Sequence, residues 1–173
     1  MISKRLRVGL VMIPVVMLLM FGLASPASAI SPTTVTAPVT AFTVTGSCSF
    51  DVLLAPKSPQ TNQEKITTFF DQAHNERFQL VTGALQVVLT NVSTGKSVDL
   101  NISGPTQVSP LPDGSLKVIN LGPTLFLFQP GVAPSLPLLA LIQGRTESMF
   151  DALGNYSLLS VQGTVADVCA LLS

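Results

Sequence analysis

Few residues of this chain are of a type that does chemistry. His74 is the one histidine. A Ser–His–Asp arrangement would have to use it, yet Gly-x-Ser-x-Gly does not occur, and His74 falls in an expected hairpin turn at Gln72-Ala-His-Asn75. It reads as an exposed turn residue. The nine acids are scattered, most of them in expected turns or on outward faces, where carboxylates are simply solvated. Two carboxylates about 5–9.5 Å apart would suit glycoside hydrolysis, and Asp99 and Glu147 are the strand-borne acids a hydrolase would use. Metal-ligand spacing, a Gly-rich phosphate loop and a nucleotide fingerprint do not occur, so neither metal nor cofactor is expected and no catalytic residue is assigned. Sequons begin at Asn91, Asn101 and Asn155, which matter only in a glycosylating host.

Cys48 and Cys169 are the only cysteines. In an oxidising compartment such a pair usually forms a disulfide. The bridge would join the first strand of the domain to the last and close a loop of about 120 residues, worth roughly 5 kcal/mol in the chain-entropy model. A metal site would need further ligands, and His74 is remote in sequence from both thiols.

The beginning of the chain supplies that compartment. Lys4, Arg5 and Arg7 precede an apolar run from Val8 to Leu23, and Ser25-Pro-Ala27-Ser-Ala29 places small residues where a signal peptidase reads them. This is the three-part secretory signal, with Ala27 and Ala29 marking cleavage after residue 29. The run is shorter than the ~20 residues of a membrane-spanning helix, so no stable span is expected after processing. Loss of three basic residues leaves six against nine acids, a net charge near −3. So mildly acidic a domain is a poor partner for nucleic acid or anionic lipid. The expected location is secreted, or extracellular.

Residues 30–47 are uncharged and rich in Thr and Pro, and read as a flexible leader to a single disulfide-tied β domain over 48–173. From Cys48 the pattern is alternation. Cys48, Phe50, Val52 and Leu54 share one face until Pro56 and Pro59 break the strand. Residues 66–71 and 76–81 flank the His74 turn. Leu85, Val87 and Leu89 alternate with polar residues, as do Val98, Leu100 and Ile102, and Asn91-Val-Ser-Thr-Gly95-Lys96 joins the two runs as a hairpin. Pro110-Leu-Pro-Asp113-Gly114 and Gly122-Pro123 mark further turns, leading into strands at 115–121 and 124–129. A longer strand follows within 138–150, with strands at 156–161 and 164–169 closing the chain. No amphipathic helix is evident. The fold class is therefore all-β: an antiparallel meander of nine to eleven short strands forming a closed or partly closed barrel, with a two-sheet β-sandwich as the alternative.

The segments Leu89-Thr-Asn-Val-Ser-Thr-Gly-Lys-Ser-Val98, Leu100-Asn-Ile-Ser-Gly104, Pro112-Asp-Gly-Ser115 and Asp167-Val-Cys-Ala-Leu-Leu-Ser173 resemble small secreted proteins of unknown function common in actinobacteria. The resemblance implies a β fold and an exported location. It carries over no catalytic residue.

The least ordinary segment is Leu121 to Ile142, uncharged throughout and interrupted by four prolines that exclude a spanning helix. Within it Leu125, Phe126, Leu127 and Phe128 are apolar on both strand faces, which a sheet with one wet face does not need. Either a loop or neighbouring strand covers the second face, or these four residues form an apolar pocket or partner surface. The functional expectation is a non-enzymatic binding or cell-envelope interaction module for an unknown partner. The alternatives are a secreted hydrolase and a carrier of a small hydrophobic ligand.

Overall fold

A computed structural model describes residues 30–58 and 62–173. The export signal expected over 1–29, with Ala27 and Ala29, lies outside the described residues, as does Pro59.

Among the described residues, eleven strands and one short helix follow in order: β1 (Thr33–Pro38), β2 (Phe42–Val44), β3 (Val52–Pro56), β4 (Gln63–Phe70), β5 (Glu76–Gly83), β6 (Gln86–Asn91), β7 (Ser97–Asn101), β8 (Thr106–Pro110), β9 (Leu116–Leu127), β10 (Leu139–Phe150), β11 (Tyr156–Asp167) and α1 (Val168–Leu172). They form two antiparallel sheets. The larger has seven strands in the order β1-β4-β5-β8-β9-β10-β11, and the smaller has four in the order β2-β3-β6-β7. The barrel expectation is corrected by this order, because β1 and β11 remain unjoined edges; the two-sheet alternative fits. The meander expectation holds only for β8 to β11. Before that the chain alternates, β1 in the large sheet, β2–β3 in the small, β4–β5 in the large, β6–β7 in the small. Sequential hairpins were legible from the alternating pattern, but a half-apolar hairpin buries its face equally well on its own sheet or against another.

Three further expectations change. The leader is extended, but β1 pairs with β4 and β2 with β3, so half of it belongs to the sheets. Its Thr and Val residues suit a half-exposed edge strand. Gly122-Pro123 is no turn, since β9 runs through it. Pro123 turns its backbone toward Gly104, whose amide donates to the Pro123 carbonyl at 2.9 Å, so its missing N–H removes no bond to β10. Finally, the expected strands at 156–161 and 164–169 are one strand followed by α1. The Asp167 carboxylate accepts the Ala170 amide as an N-cap, which starts the helix.

The long strands continue because glycines meet. Gly144 of β10 faces Gly122 of β9 and Gly163 of β11. A Cβ on Gly144 would lie 2.0 Å from the Gln162 carbonyl oxygen, and one on Gly163 would lie 2.1 Å from that of Gln143. Only glycine fits this close approach of backbones. The row divides each strand. On one side Leu125, Leu139, Leu141 and Ala166 join the main core with Val52, Leu54, Val87 and Leu89 of the small sheet. On the other side the strands carry a buried polar chain: Thr106 Oγ1 donates to Asn120 Oδ1 at 2.7 Å, and Asn120 Nδ2 donates to Thr146 Oγ1 at 3.1 Å.

The Cys48–Cys169 disulfide is formed, with Cα atoms 5.5 Å apart. It ties the segment before β3 to α1, whose Val168 and Leu172 are fully buried in the main core. The Asn91 side chain donates to the Leu172 carbonyl at 3.1 Å and fixes the other end of the helix to β6.

Candidate functional site

Four crossings carry the chain between the sheets, one after each of β1, β3, β5 and β7. Buried Asn62 holds three of them together. Its Nδ2 donates to the Ser58 carbonyl at 2.9 Å, and its Oδ1 accepts the Gln86 amide at 2.6 Å. Its own carbonyl accepts the Val39 amide at 3.4 Å. The last two crossings are joined in turn: the Leu85 amide donates to Ser103 Oγ at 2.7 Å, and the Ile102 amide to the Leu85 carbonyl at 2.8 Å. The seam is thus a fixed framework and not a set of loose loops.

Along the seam the sheets do not meet completely. A groove of about 220 Å³ lies there, walled by Phe42, Val44, Leu54, Val87, Leu125 and Leu127, with Glu64 as its one charged residue among the described residues. Phe42 and Leu127 stand at its rim, 51% and 54% exposed. A second cavity of about 150 Å³ adjoins it and shares Glu64, Leu85, Ile102 and Leu125. Its remaining wall is more polar and includes Thr82, Ser103, Thr106 and Thr124. The Thr124 hydroxyl is buried without a hydrogen-bond partner among the described residues.

The four residues expected as one apolar surface separate onto two faces. Leu125 packs on the main core and Leu127 opens into the groove. Phe126 and Phe128 face the other way, stacked with ring centroids 5.3 Å apart. The loop after β9 folds back over them: Val132, Ala133, Leu136 and Leu138 close a second apolar cluster with Ala140 and Ile142. The covering loop therefore accounts for Phe126 and Phe128, while Leu125 and Leu127 line the groove. Tyr156 completes the cluster, and burial pushes its phenol above the ordinary value, with Ser148 opposing slightly.

The expected catalytic acids stay apart. Asp99 lies on the small sheet, paired with Lys57 at 2.5 Å. Glu147 lies on the large sheet between Arg145 at 2.5 Å and Lys117 at 3.1 Å, and these bonds hold its carboxyl below the ordinary value. A general acid needs the opposite shift. Among the described residues no group of three or more His, Cys, Asp or Glu is placed to hold a metal ion, and no helix is long and apolar enough to cross a membrane. Of the sequons, Asn91 is buried with both side-chain atoms bonded, to Leu172 and to Ser93. Asn101 and Asn155 are exposed.

His74 sits where expected, exposed at the tip between β4 and β5, but with a backbone unusual for its type, φ 66°. Three hairpins of the large sheet share one loop. The Asp71, Leu111 and Asp151 amides each donate to the carbonyl four residues on, and His74, Gly114 and Gly154 each donate back to the first residue. These left-handed positions recur at forty-residue intervals, and antiparallel order sets all three tips at the same end of the sheet. The signal was present as Phe70-Asp71…Asn75 and Phe150-Asp151…Asn155, in which each Asp carboxylate accepts from its Asn.

No family model, no curated protein and no solved structure matches this chain. The class of the molecule is set by its own geometry, a disulfide-tied two-sheet β protein with an apolar groove at the seam.

Proposed function

We propose that this protein is a secreted, non-enzymatic binding module that holds a small hydrophobic ligand in the groove between its sheets. The observation that carries the reading is the groove itself. Its wall is almost wholly apolar, it is open at Phe42 and Leu127, and the crossings around it are fixed by Asn62 and Ser103. Small-molecule sites combine such walls with a few convergent polar groups and are largely pre-formed. The groove and its neighbour, about 220 and 150 Å³, together reach the low end of the usual size range. The Cys48–Cys169 disulfide suits an oxidising compartment, in keeping with export and with a partner or ligand met outside the cell or in its envelope.

Native mass spectrometry of the protein purified from its own host tests this reading. The expected result is a co-purifying mass of a few hundred daltons, removed by organic extraction and absent from a Leu127→Asp variant. A spectrum of bare protein, together with no uptake of neutral apolar compounds added afterwards, overturns it.

A further inference from the structure

The groove carries information about the head of its ligand as well as its tail. Glu64 and Thr124 each bring to the cavities a side-chain oxygen that no described residue bonds. Glu64 is half-buried at the place where both cavities meet, and no cation or amide among the described residues binds its carboxylate; its neighbours across the sheet, Ala37 and Gly83, have no polar side chain. Thr124 lines the second cavity, and its buried hydroxyl is one of two buried side-chain oxygen or nitrogen atoms left unpaired among the described residues. Buried polar atoms are nearly always satisfied, so an orphan at a cavity wall asks for a ligand group. The other carboxylates carried on strands are served: Glu76 by Gln79, Asp99 by Lys57, Glu147 by Arg145 and Lys117, and Asp167 by the Ala170 amide. Glu64 is the one charge among the described residues of the groove wall.

We infer that the ligand is a single-chain cationic amphiphile, whose apolar chain lies against Phe42, Leu54, Leu125 and Leu127 and whose ammonium head donates to Glu64 and Thr124. This rests on the groove reading above and adds the polarity of the head. Both waiting atoms accept hydrogen bonds, and one carries negative charge, so a donating cation satisfies both while a carboxylate head meets repulsion. An ammonium offers three donors, enough to reach two acceptors and still keep one for water.

The test is isothermal titration of the processed protein with decylamine, decanol and decanoate, each below its micelle-forming concentration, beside Nile red as a neutral apolar probe. Decylamine is expected to bind at least tenfold tighter than decanol, with decanoate weakest. Glu64→Gln is expected to bring decylamine down to the decanol value while leaving Nile red unchanged. Thr124→Val is expected to weaken both decylamine and decanol severalfold while raising the melting temperature, because it removes an unpaired buried hydroxyl. Nile red binding with no preference among the three heads, or a decylamine preference that survives Glu64→Gln, overturns the inference and leaves the groove reading standing. Loss of all four ligands from the unsubstituted protein overturns both.

Discussion

Leu125 and Phe126 are consecutive in β9 and are buried by different parts of the chain. Leu125 meets the small sheet, and Phe126 meets the loop that follows β9. This relationship explains why the segment around them is apolar on both faces. One strand serves two cores, and the small sheet stops short of Leu127, which leaves the groove. The two faces predict different consequences for substitution. Phe128→Ala removes a buried ring from the second cluster and should cost about 3–5 kcal/mol in urea unfolding. Leu127→Ala should cost under about 1 kcal/mol, since half of that side chain is already in water. Equal losses would contradict the division.

Asn62 is predicted to be the structural clasp of the seam. Asn62→Ala leaves the Gln86 amide without its acceptor and removes the side-chain bond to the Ser58 carbonyl, so unfolding free energy should fall by about 1–3 kcal/mol. Hydrogen exchange should rise first at Gln86. A neutral effect would mean that water replaces the side chain without cost.

His74 and Gly154 occupy equivalent places in two hairpin loops, with φ 66° and 84°. A β-carbon in that conformation is strained, whereas glycine adopts it freely. His74→Gly should therefore raise stability by about 0.5–1 kcal/mol, after allowance for the greater freedom glycine gives the unfolded chain. Gly154→His should lower it by a similar amount. A higher urea midpoint for the first variant and a lower one for the second is the expected pattern; the reverse order would refute the equivalence of the loops.

The same loops set an acid response. Bonds from the Asn75 backbone and side chain lower the Asp71 carboxyl below its ordinary 3.8, and bonds from the Asn155 side chain and backbone do the same for Asp151. A carboxyl lowered on folding contributes stability that is complete above its unfolded value and disappears as pH falls through its folded value. Stability should therefore be level from about pH 7 to about pH 5 and decline below about pH 4. In an Asp71→Asn, Asp151→Asn double variant the decline should be shallower. A parent midpoint unchanged at about pH 3, or an equally steep fall in the variant, would rule these carboxylates out as the cause.

How much of this was legible in the residues depended on whether the deciding contact was local. The hairpins at 71–75, 91–96 and 111–115 are local, made by Asp, Asn and Gly acting within a few residues, and their positions were readable. The disulfide was readable because two cysteines allow one pairing. The assignment of each hairpin to a sheet was not, since alternation fixes which side is apolar but not what it meets. Gly122-Pro123 reads locally as a turn; it remains strand because Gly144 and Gly163 come alongside from distant sequence. The groove combines Phe42, Glu64, Leu125 and Leu127 from three separate stretches, and nothing near Glu64 in sequence marks its carboxylate as unpaired. Only Leu125 and Leu127 were anticipated, from the excess of apolar residues around them.

The central claim is that the groove binds an apolar ligand, and titration of the processed protein with Nile red, followed by fluorescence, tests it most directly. Saturable binding at one site is predicted. Leu127→Asp, at the rim, should weaken it at least tenfold, while Leu153→Asp, 89% exposed at a hairpin tip, should leave it unchanged. Absence of saturable binding, or equal weakening by both substitutions, would contradict the claim.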